Sequence, residues 1–555
     1  MRPGVAISAA PFVLLGTGAA LRIWQYLSNN SLWLDEAALA RNIVERSPRE
    51  LLQPLDHAQV APAGFLLIEK AAVSLLGNTE WALRLFPLLC GLVALLVFRR
   101  LATRVLSGWW AVYAAGLFAL ATPLVYFSSQ VKQYSSDAAA TVVVLTAALW
   151  LRRASTGTEG SDSPAIRRAA IVAALGAVVA WVSQPALFVL AGSGVALAWC
   201  AWRDRRPDAL RAAVLVCGVW AISAGLSAAL AVQNVSPSDR AYLDWFWSNG
   251  FMPFPPRRLA DLFWIWDRLT WLYGAFVTGL RRTNGGLGYP WSQLFVMLAL
   301  VGGFALWRRS RDIALILLMP VIVTIGAGMA HVYPLTGRAV TFLIPPLLIA
   351  TAVGASYVLE RLPSRLQFGA LVVLAIIVGA PAYATLTALP PERTEHLRPV
   401  LARVSQHRRP GDAVYVYYPA GQSFLYYAQR FGFRPGDYVI GRCSVTDLRE
   451  YLRDLDQFRG RPRVWIVSTH ARLNAVEFRT IVTYLDSIGR RVHAFEEQAT
   501  SQIALNAAYG LLYDLSDAGR LKLTAADSHP VPSVPVNAAF ARWGCYGTQS
   551  TSAGL

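Results

Sequence analysis

Two neighbouring carboxylates, Asp35 and Glu36, stand in the stretch Ser31-Leu-Trp-Leu-Asp-Glu-Ala-Ala-Leu-Ala-Arg41, directly after the first long apolar run of the chain. Acids this close to hydrocarbon are costly to keep ionised, and in membrane proteins they mark functional positions. A carboxylate there can take the proton from an acceptor hydroxyl as that oxygen attacks. One base suffices for such a step, unlike the paired acids of glycoside hydrolysis. On a helix, side chains one residue apart point in different directions, so the two acids have separate partners. The competing structural reading makes Asp35 the N-cap of a helix that begins at Glu36.

Two basic residues complete a candidate site. Lys132, in Lys132-Gln-Tyr134-Ser-Ser-Asp137, precedes an apolar stretch, and the chain holds only three lysines among 51 basic side chains. An ammonium at the mouth of a membrane helix can pair with a phosphate while its stem lies along apolar surface; plain snorkelling is the alternative. Tyr134 and Asp137 are three apart and share a helix face, as do Lys132 and Ser136 at four apart. Arg338 ends Tyr333-Pro-Leu-Thr-Gly-Arg338. Its guanidinium suits bidentate binding of phosphate oxygens, against an ion pair with Asp35, Glu36 or Asp137. A sugar carried on a lipid phosphate has a good leaving group, so such a donor needs little acid catalysis and mainly a base and a phosphate clamp. Tyr134, Asp137, Tyr333 and the lone His57 of Asp56-His-Ala-Gln-Val-Ala-Pro62 are the expected substrate contacts. His57 with Glu36 and His331 forms the alternative expectation, a divalent metal site of mixed nitrogen and oxygen ligands, although no local ligand spacing supports it.

The elements that must position these residues are apolar helices. Of the 555 residues 55% are hydrophobic and only 15% charged, where a soluble protein carries roughly 25% charged residues. Mean hydropathy is +0.40. Apolar stretches fall at about 5–27, 81–98, 108–127, 134–151, 169–183, 186–202, 212–232, 290–306, 313–330, 339–358 and 367–386, near the length a span requires. The pair across Gln184-Pro185 reads either as two spans or as one broken helix. Taken as two, it puts Arg2, Arg99, Arg100, Arg152, Arg153, Arg203, Arg308 and Arg361 on one side, which the positive-inside rule makes cytoplasmic. The N-terminus is then cytoplasmic and 390–530 lies outside. The run Gly64 to Leu76 is short enough to lie at the interface. The outer loop 233–289 is rich in Trp and Pro, with Tyr242, Trp245, Trp247, Trp264, Trp266 and Trp271; it reads as an interfacial aromatic belt or as a surface gripping lipid or sugar rings.

From Pro390 the pattern changes. Ala413 to Tyr418, Arg463 to Val467 and Ile503 onward read as strands, and about 421–431, 446–458 and 473–489 as helices, which is an α/β layer domain. Residues 531–555 read as a loose tail. The expected fold is therefore a polytopic α-helical membrane protein, with about eleven membrane helices in 1–389, followed by an extracytoplasmic α/β domain. Cys443 and Cys545 can pair, while Cys90, Cys200 and Cys217 fall in apolar segments. The net charge of +18 comes from short arginine clusters between apolar segments, with no nucleic-acid-binding motif, so orientation in the membrane explains it better than nucleic acid.

The order Trp33-Leu-Asp35-Glu36, Ala61-Pro62-Ala-Gly-Phe-Leu, Leu76-Gly-Asn-Thr-Glu80-Trp-Ala-Leu-Arg84-Leu, Lys132-Gln-Tyr134 and Pro334-Leu-Thr-Gly-Arg338 resembles the protein O-mannosyltransferase-like and aminoarabinose-transferase-like enzymes of the glycosyltransferase C superfamily. The resemblance covers about 1–390 and is clearest over 28–140. It implies an inverting transfer of a hexosyl or pentosyl group from a polyprenyl-phosphate donor to an extracytoplasmic lipid, glycan or protein, in a bacterial cytoplasmic membrane. It implies Asp35 as base, Glu36 positioning the acceptor or a metal, and Lys132 and Arg338 holding the donor phosphate. One departure stands out. The aminoarabinose transferases carry Glu-Lys directly before the Pro motif, whereas here Val60-Ala61 precede Pro62 and Glu69-Lys70 follow it, so that role is not carried to Glu69 or Lys70. A transporter or flippase of lipid-linked sugars is the rival reading, but the chain shows no internal repeat. A membrane scaffold with an outer binding domain is a third, and it leaves Asp35 and Glu36 without a task.

Overall fold

The computed structural model describes residues 3–156, 162–277, 288–387, 392–444, 446–471, 476–500 and 507–517, with isolated positions 520, 531, 542 and 545. The chain divides into two compact units, one of Met1–Leu27, Ala61–Asn234 and Phe246–Leu389, the other of Ser28–Val60, Val235–Trp245 and Pro390–Leu555.

The first unit is helical. Each of the eleven apolar stretches lies in a helix or helix pair, and Asp162–Val182 and Ala186–Asp204 are separate helices on either side of Gln184-Pro185. Among the described residues, six helices are long and apolar enough to cross a membrane, or seven if the bent pair Gly108–Leu120 and Thr122–Ser129 forms one span. The expected count of about eleven spans is not confirmed by these six or seven helices, which are counted among the described residues alone. Burial separates inner from outer helices. The apolar window of Tyr134–Arg153 is 83% buried, whereas that of Pro207–Gln233 is only 22% buried at a mean hydropathy of 2.0. A helix apolar all round but mostly uncovered needs an apolar solvent, which is the bilayer. Ala63–Leu76 has 14 residues, about 21 Å at the helical rise, too short to cross.

Small residues let the backbones meet. Gly302 in Gly288–Arg309 faces Ala350 and Gly354 in Ile344–Leu359; a Cβ on Gly302 would come 1.8 Å from the Ala350 carbonyl oxygen, and one on Gly354 would come 1.9 Å from that of Leu298. With no hydrophobic effect between helices in lipid, such close approach supplies the packing attraction. At one end, Arg152 bridges Asp204 (2.5 Å) and Asp312 (2.6 Å), and Arg203 binds Asp312 (2.7 Å). These four charges tie the ends of three helices in one network.

The second unit holds a five-stranded sheet in the order β2-β1-β3-β5-β4, with β1 Ala413–Val416, β2 Tyr438–Ile440, β3 Val464–Ala471, β4 Arg490–Glu497 and β5 Ala507–Asp514. The pairs of β1 with β2 and β3 are parallel; β5 runs antiparallel to β3 and β4. Tyr415, Ile466, Leu511 and Tyr513 on one face meet Tyr451, Leu455, Tyr484 and Leu485 from the helices Arg449–Asp456 and Val476–Ile488. On the other face Gly510 lies against Val400 and Val404 of Leu397–His407. The expected strands at 413 and 463 and all three expected helices are present. The strand expected from Ile503 begins at Ala507, its first residues lying outside the described ones. The expected tail 531–555 also lies outside them, save Val531, Arg542 and Cys545. Cys443 and Cys545 form a disulfide across 102 residues.

Candidate functional site

Asp35 sits in the first turn of the helix Leu34–Glu45. The N-cap is Trp33, whose side chain makes no capping bond, so Asp35 is inside the helix and is not its cap. Its Oδ1 accepts a hydrogen bond from Gln59 Nε2 at 3.3 Å. Glu36, one residue on, is fully buried, whereas Asp35 is half-buried. The adjacent acids therefore occupy different environments, as helix geometry requires.

Partners distant in sequence set this helix. The Leu34 amide donates to Glu395 Oε2 (3.0 Å), the Leu32 amide to the Tyr427 hydroxyl (2.8 Å), and Asn30 Nδ2 to the Glu392 carbonyl (2.8 Å). Arg41 Nη1 donates to Gln422 Oε1 at 2.7 Å, and Gln422 Nε2 lies 3.2 Å from His57 Nδ1. With its amide oxygen taken by Arg41, Gln422 turns its NH2 to His57, so Nδ1 accepts and the ring proton sits on Nε2. His57 is thus held by Gln422, in a left-handed backbone conformation (φ 62°). Gln59, Gln422 and Glu395 escape sequence reasoning. Gln59 shares the His57 motif; Gln422 sits 365 positions from His57 and Glu395 361 positions from Leu34, with no local signal.

The membrane unit carries the basic half of the expected set. Arg338 lies 5.7 Å from the Tyr134 ring centroid and 5.9 Å from that of Trp247. Trp247 comes from the aromatic segment 233–289, so one of those rings does reach a candidate residue, while Trp264, Trp266 and Trp271 pack on the helical core. Tyr333 donates to the Ala339 carbonyl at 2.8 Å and packs its ring at a tilt against Phe188 and edge-on against Phe342. Burial, then the neighbouring Asp137 and Tyr134, pushes its phenol well above the ordinary range. Lys132 is only 5% exposed, so it does not snorkel to an outer surface. It lies in the turn after Phe127–Ser129, its amide donating to the Gln130 carbonyl. Asp137 is buried in the first turn of Tyr134–Thr156; the Ser183 hydroxyl bonds it, and its Oδ1 has no hydrogen-bond partner among the described residues. Within this unit the structure groups Tyr134, Asp137, Tyr333 and Arg338.

Among the described residues, no three or more His, Cys, Asp and Glu side chains are grouped to hold a metal ion. His331 turns Nε2 toward the Met252 carbonyl (2.8 Å) and stacks on Phe251. A residue set aside on sequence grounds also stands out: Glu69 is 0% exposed, and neither carboxyl oxygen has a hydrogen-bond partner among the described residues.

No protein-family model matches the chain, and no curated protein matches it. Among solved structures it is similar to the apo oligosaccharyltransferase of Archaeoglobus fulgidus, with a TM-score of 0.50 at 12% identity over 89% of this chain and 74% of that one. Apo ArnT from Cupriavidus metallidurans gives a TM-score of 0.46 at 13% identity over 90% of this chain and 98% of that one. The same ArnT bound to undecaprenyl phosphate gives 0.41 at 13% identity over 92% and 98%.

Proposed function

From the glycosyltransferase C fold, which this chain shares with the archaeal oligosaccharyltransferase, we propose that it is an inverting glycosyltransferase moving a sugar from a polyprenyl-phosphate donor to an extracytoplasmic acceptor. The observation that carries the reading is Asp35: a half-buried carboxylate in the first turn of a helix, with Oδ1 held by Gln59.

In the step, the acceptor oxygen attacks the anomeric carbon from the face opposite the phosphate. Asp35 takes the acceptor's proton as the new carbon–oxygen bond forms. The bond between the anomeric carbon and the phosphate oxygen breaks, and its electron pair leaves with polyprenyl phosphate. Arg338 and Lys132 carry the charge that grows on that phosphate. The planar guanidinium gives directed donors, the ammonium a compact charge. Tyr134, Asp137, Tyr333 and His57 shape the sugar and acceptor subsites, and Glu36 positions the acceptor or a metal ion. The acceptor is a lipid, a glycan or a protein. The enzyme works at a bacterial cytoplasmic membrane with its terminal domain outside; the Cys443–Cys545 bond fits an oxidising compartment.

The test is purified protein in lipid, offered a panel of polyprenyl-phosphate sugars, as wild type and Asp35→Asn. Wild type that binds one donor and releases its sugar, beside a variant that binds without turnover, supports the reading. Transport of a donor across reconstituted vesicles without transfer favours the flippase instead. A fully active Asp35→Asn removes the base assignment.

A further inference from the structure

The helix carrying Asp35 begins without a local cap. Its first amides need acceptors, and Trp33 at the N-cap supplies none from its side chain. Glu395 fills the role from 361 positions away: its Oε2 accepts from the Leu34 amide at 3.0 Å. Its other oxygen, Oε1, lies 2.6 Å from His470 Nδ1. A carboxylate only accepts, so Nδ1 carries the proton. The Glu395 side chain is 0% exposed and that of His470 43% exposed, so His470 links a fully buried anion to the surface of the unit. Both residues are held in the left-handed backbone region without being glycine, Glu395 at φ 50° and His470 at φ 57°. Non-glycine residues persist there only where their surroundings over-determine them, and such strain gathers at functional sites. Here the two strained residues are bonded to each other, and one of them is bonded to the residue before Asp35.

We propose that Glu395 and His470 are positioning residues for the transfer step. Through the Leu34 amide they fix the start of the helix Leu34–Glu45, and with it the direction of the Asp35 carboxylate. The α/β domain is on this view part of the catalytic apparatus rather than an appended binding module. The inference rests on the proposed role of Asp35 as base.

The experiment compares Glu395→Ala, His470→Ala, His470→Asn and Glu395→Gln in the full-length protein with Asp35→Asn, reading transfer kinetics and amide hydrogen exchange of the 31–39 segment. A displaced reacting group costs up to about a hundredfold in rate. The two alanine variants should lose about 10- to 100-fold in kcat with donor and acceptor KM within about threefold, which is the signature of an interaction used in the transition state. Glu395→Gln keeps an oxygen for the Leu34 amide and should recover most of the rate, and His470→Asn, which can still donate, should recover part of it. The 31–39 segment should exchange faster in His470→Ala while the sheet stays protected. This readout needs no activity, and the exposed His470 is a substitution the fold tolerates. Wild-type kcat and wild-type exchange in His470→Ala and Glu395→Ala overturn the inference alone, provided Asp35→Asn is inactive. A fully active Asp35→Asn, or wild type without turnover on any donor, overturns the base reading and this inference with it.

Discussion

The Arg338 guanidinium lies over two rings, 5.7 Å from the centroid of Tyr134 and 5.9 Å from that of Trp247. Rings packed against a guanidinium limit its rotation. A bidentate charge-assisted contact to a donor phosphate depends on that fixed plane. Arg338→Lys keeps the charge but has no plane to stack, so it should raise donor KM about tenfold, and Arg338→Ala about tenfold to a hundredfold, the range of about 1.5–3 kcal/mol for a hydrogen bond to a charged group. Binding of the donor to the three proteins, measured in lipid, checks this. Equal affinity for Arg338→Ala and wild type would remove Arg338 from the phosphate site.

Gln59 offers a finer probe of the base. Its amide is 3.3 Å from Asp35 Oδ1, long for a hydrogen bond and near the limit of a useful one. Gln59→Leu removes the donor at similar volume. The expected loss is about 1 kcal/mol, close to the mean for one hydrogen bond, or about fivefold in kcat with unchanged donor binding. A loss as large as that of Asp35→Asn would make Gln59 a group that touches substrate itself.

Periodicity and composition made the membrane half legible. All eleven apolar stretches became helices, because a long apolar run has few alternatives once backbone groups must be satisfied internally. Span counting was less secure, since a helix such as Gly108–Leu120 stops short and turns by 56° into the next. In the second unit, β4 was missed. Its sequence Arg490-Arg-Val-His-Ala-Phe-Glu-Glu497 is charged and mostly exposed, which is what an edge strand needs and what a strand pattern hides. β2, with three residues, is below any periodic signal. The site divides the same way. Asp35 announced itself by its place beside an apolar run. Glu395 and Gln422 did not, because bonds between positions 34 and 395 leave no mark on either neighbourhood.

Gly302 and Gly354 test the packing of the membrane unit. An added methyl at either would meet a backbone carbonyl oxygen at 1.8–1.9 Å, and backbone cannot step aside as a flexible side chain can. The helices Gly288–Arg309 and Ile344–Leu359 would have to separate. Gly302→Ala and Gly354→Ala should each cost about 1–3 kcal/mol, the usual range for overpacking, despite the better helix propensity of alanine. Thermal unfolding in detergent reads this directly. Gly218, with nothing within 4 Å of its Cβ position, is the control, and Gly218→Ala should unfold at or above the wild-type temperature. Loss of stability in the control but not in the pair would mean that the two helices do not meet there.

Glu69 makes the opposite case. Its side chain is wholly buried, with no partner for either oxygen among the described residues, and a buried polar group left unsatisfied costs about 1–3 kcal/mol. Glu69→Leu removes that cost and keeps an apolar side chain of similar length on the same helix, so the variant should be more stable than wild type by about that amount. Glu69→Gln retains unsatisfied polar atoms and should gain less. If both variants lose stability, the carboxyl has a partner in the folded protein. If Glu69→Leu gains stability while transfer falls, the cost is kept for the reaction, and Glu69 joins Asp137 as a second buried acid to place against the substrate.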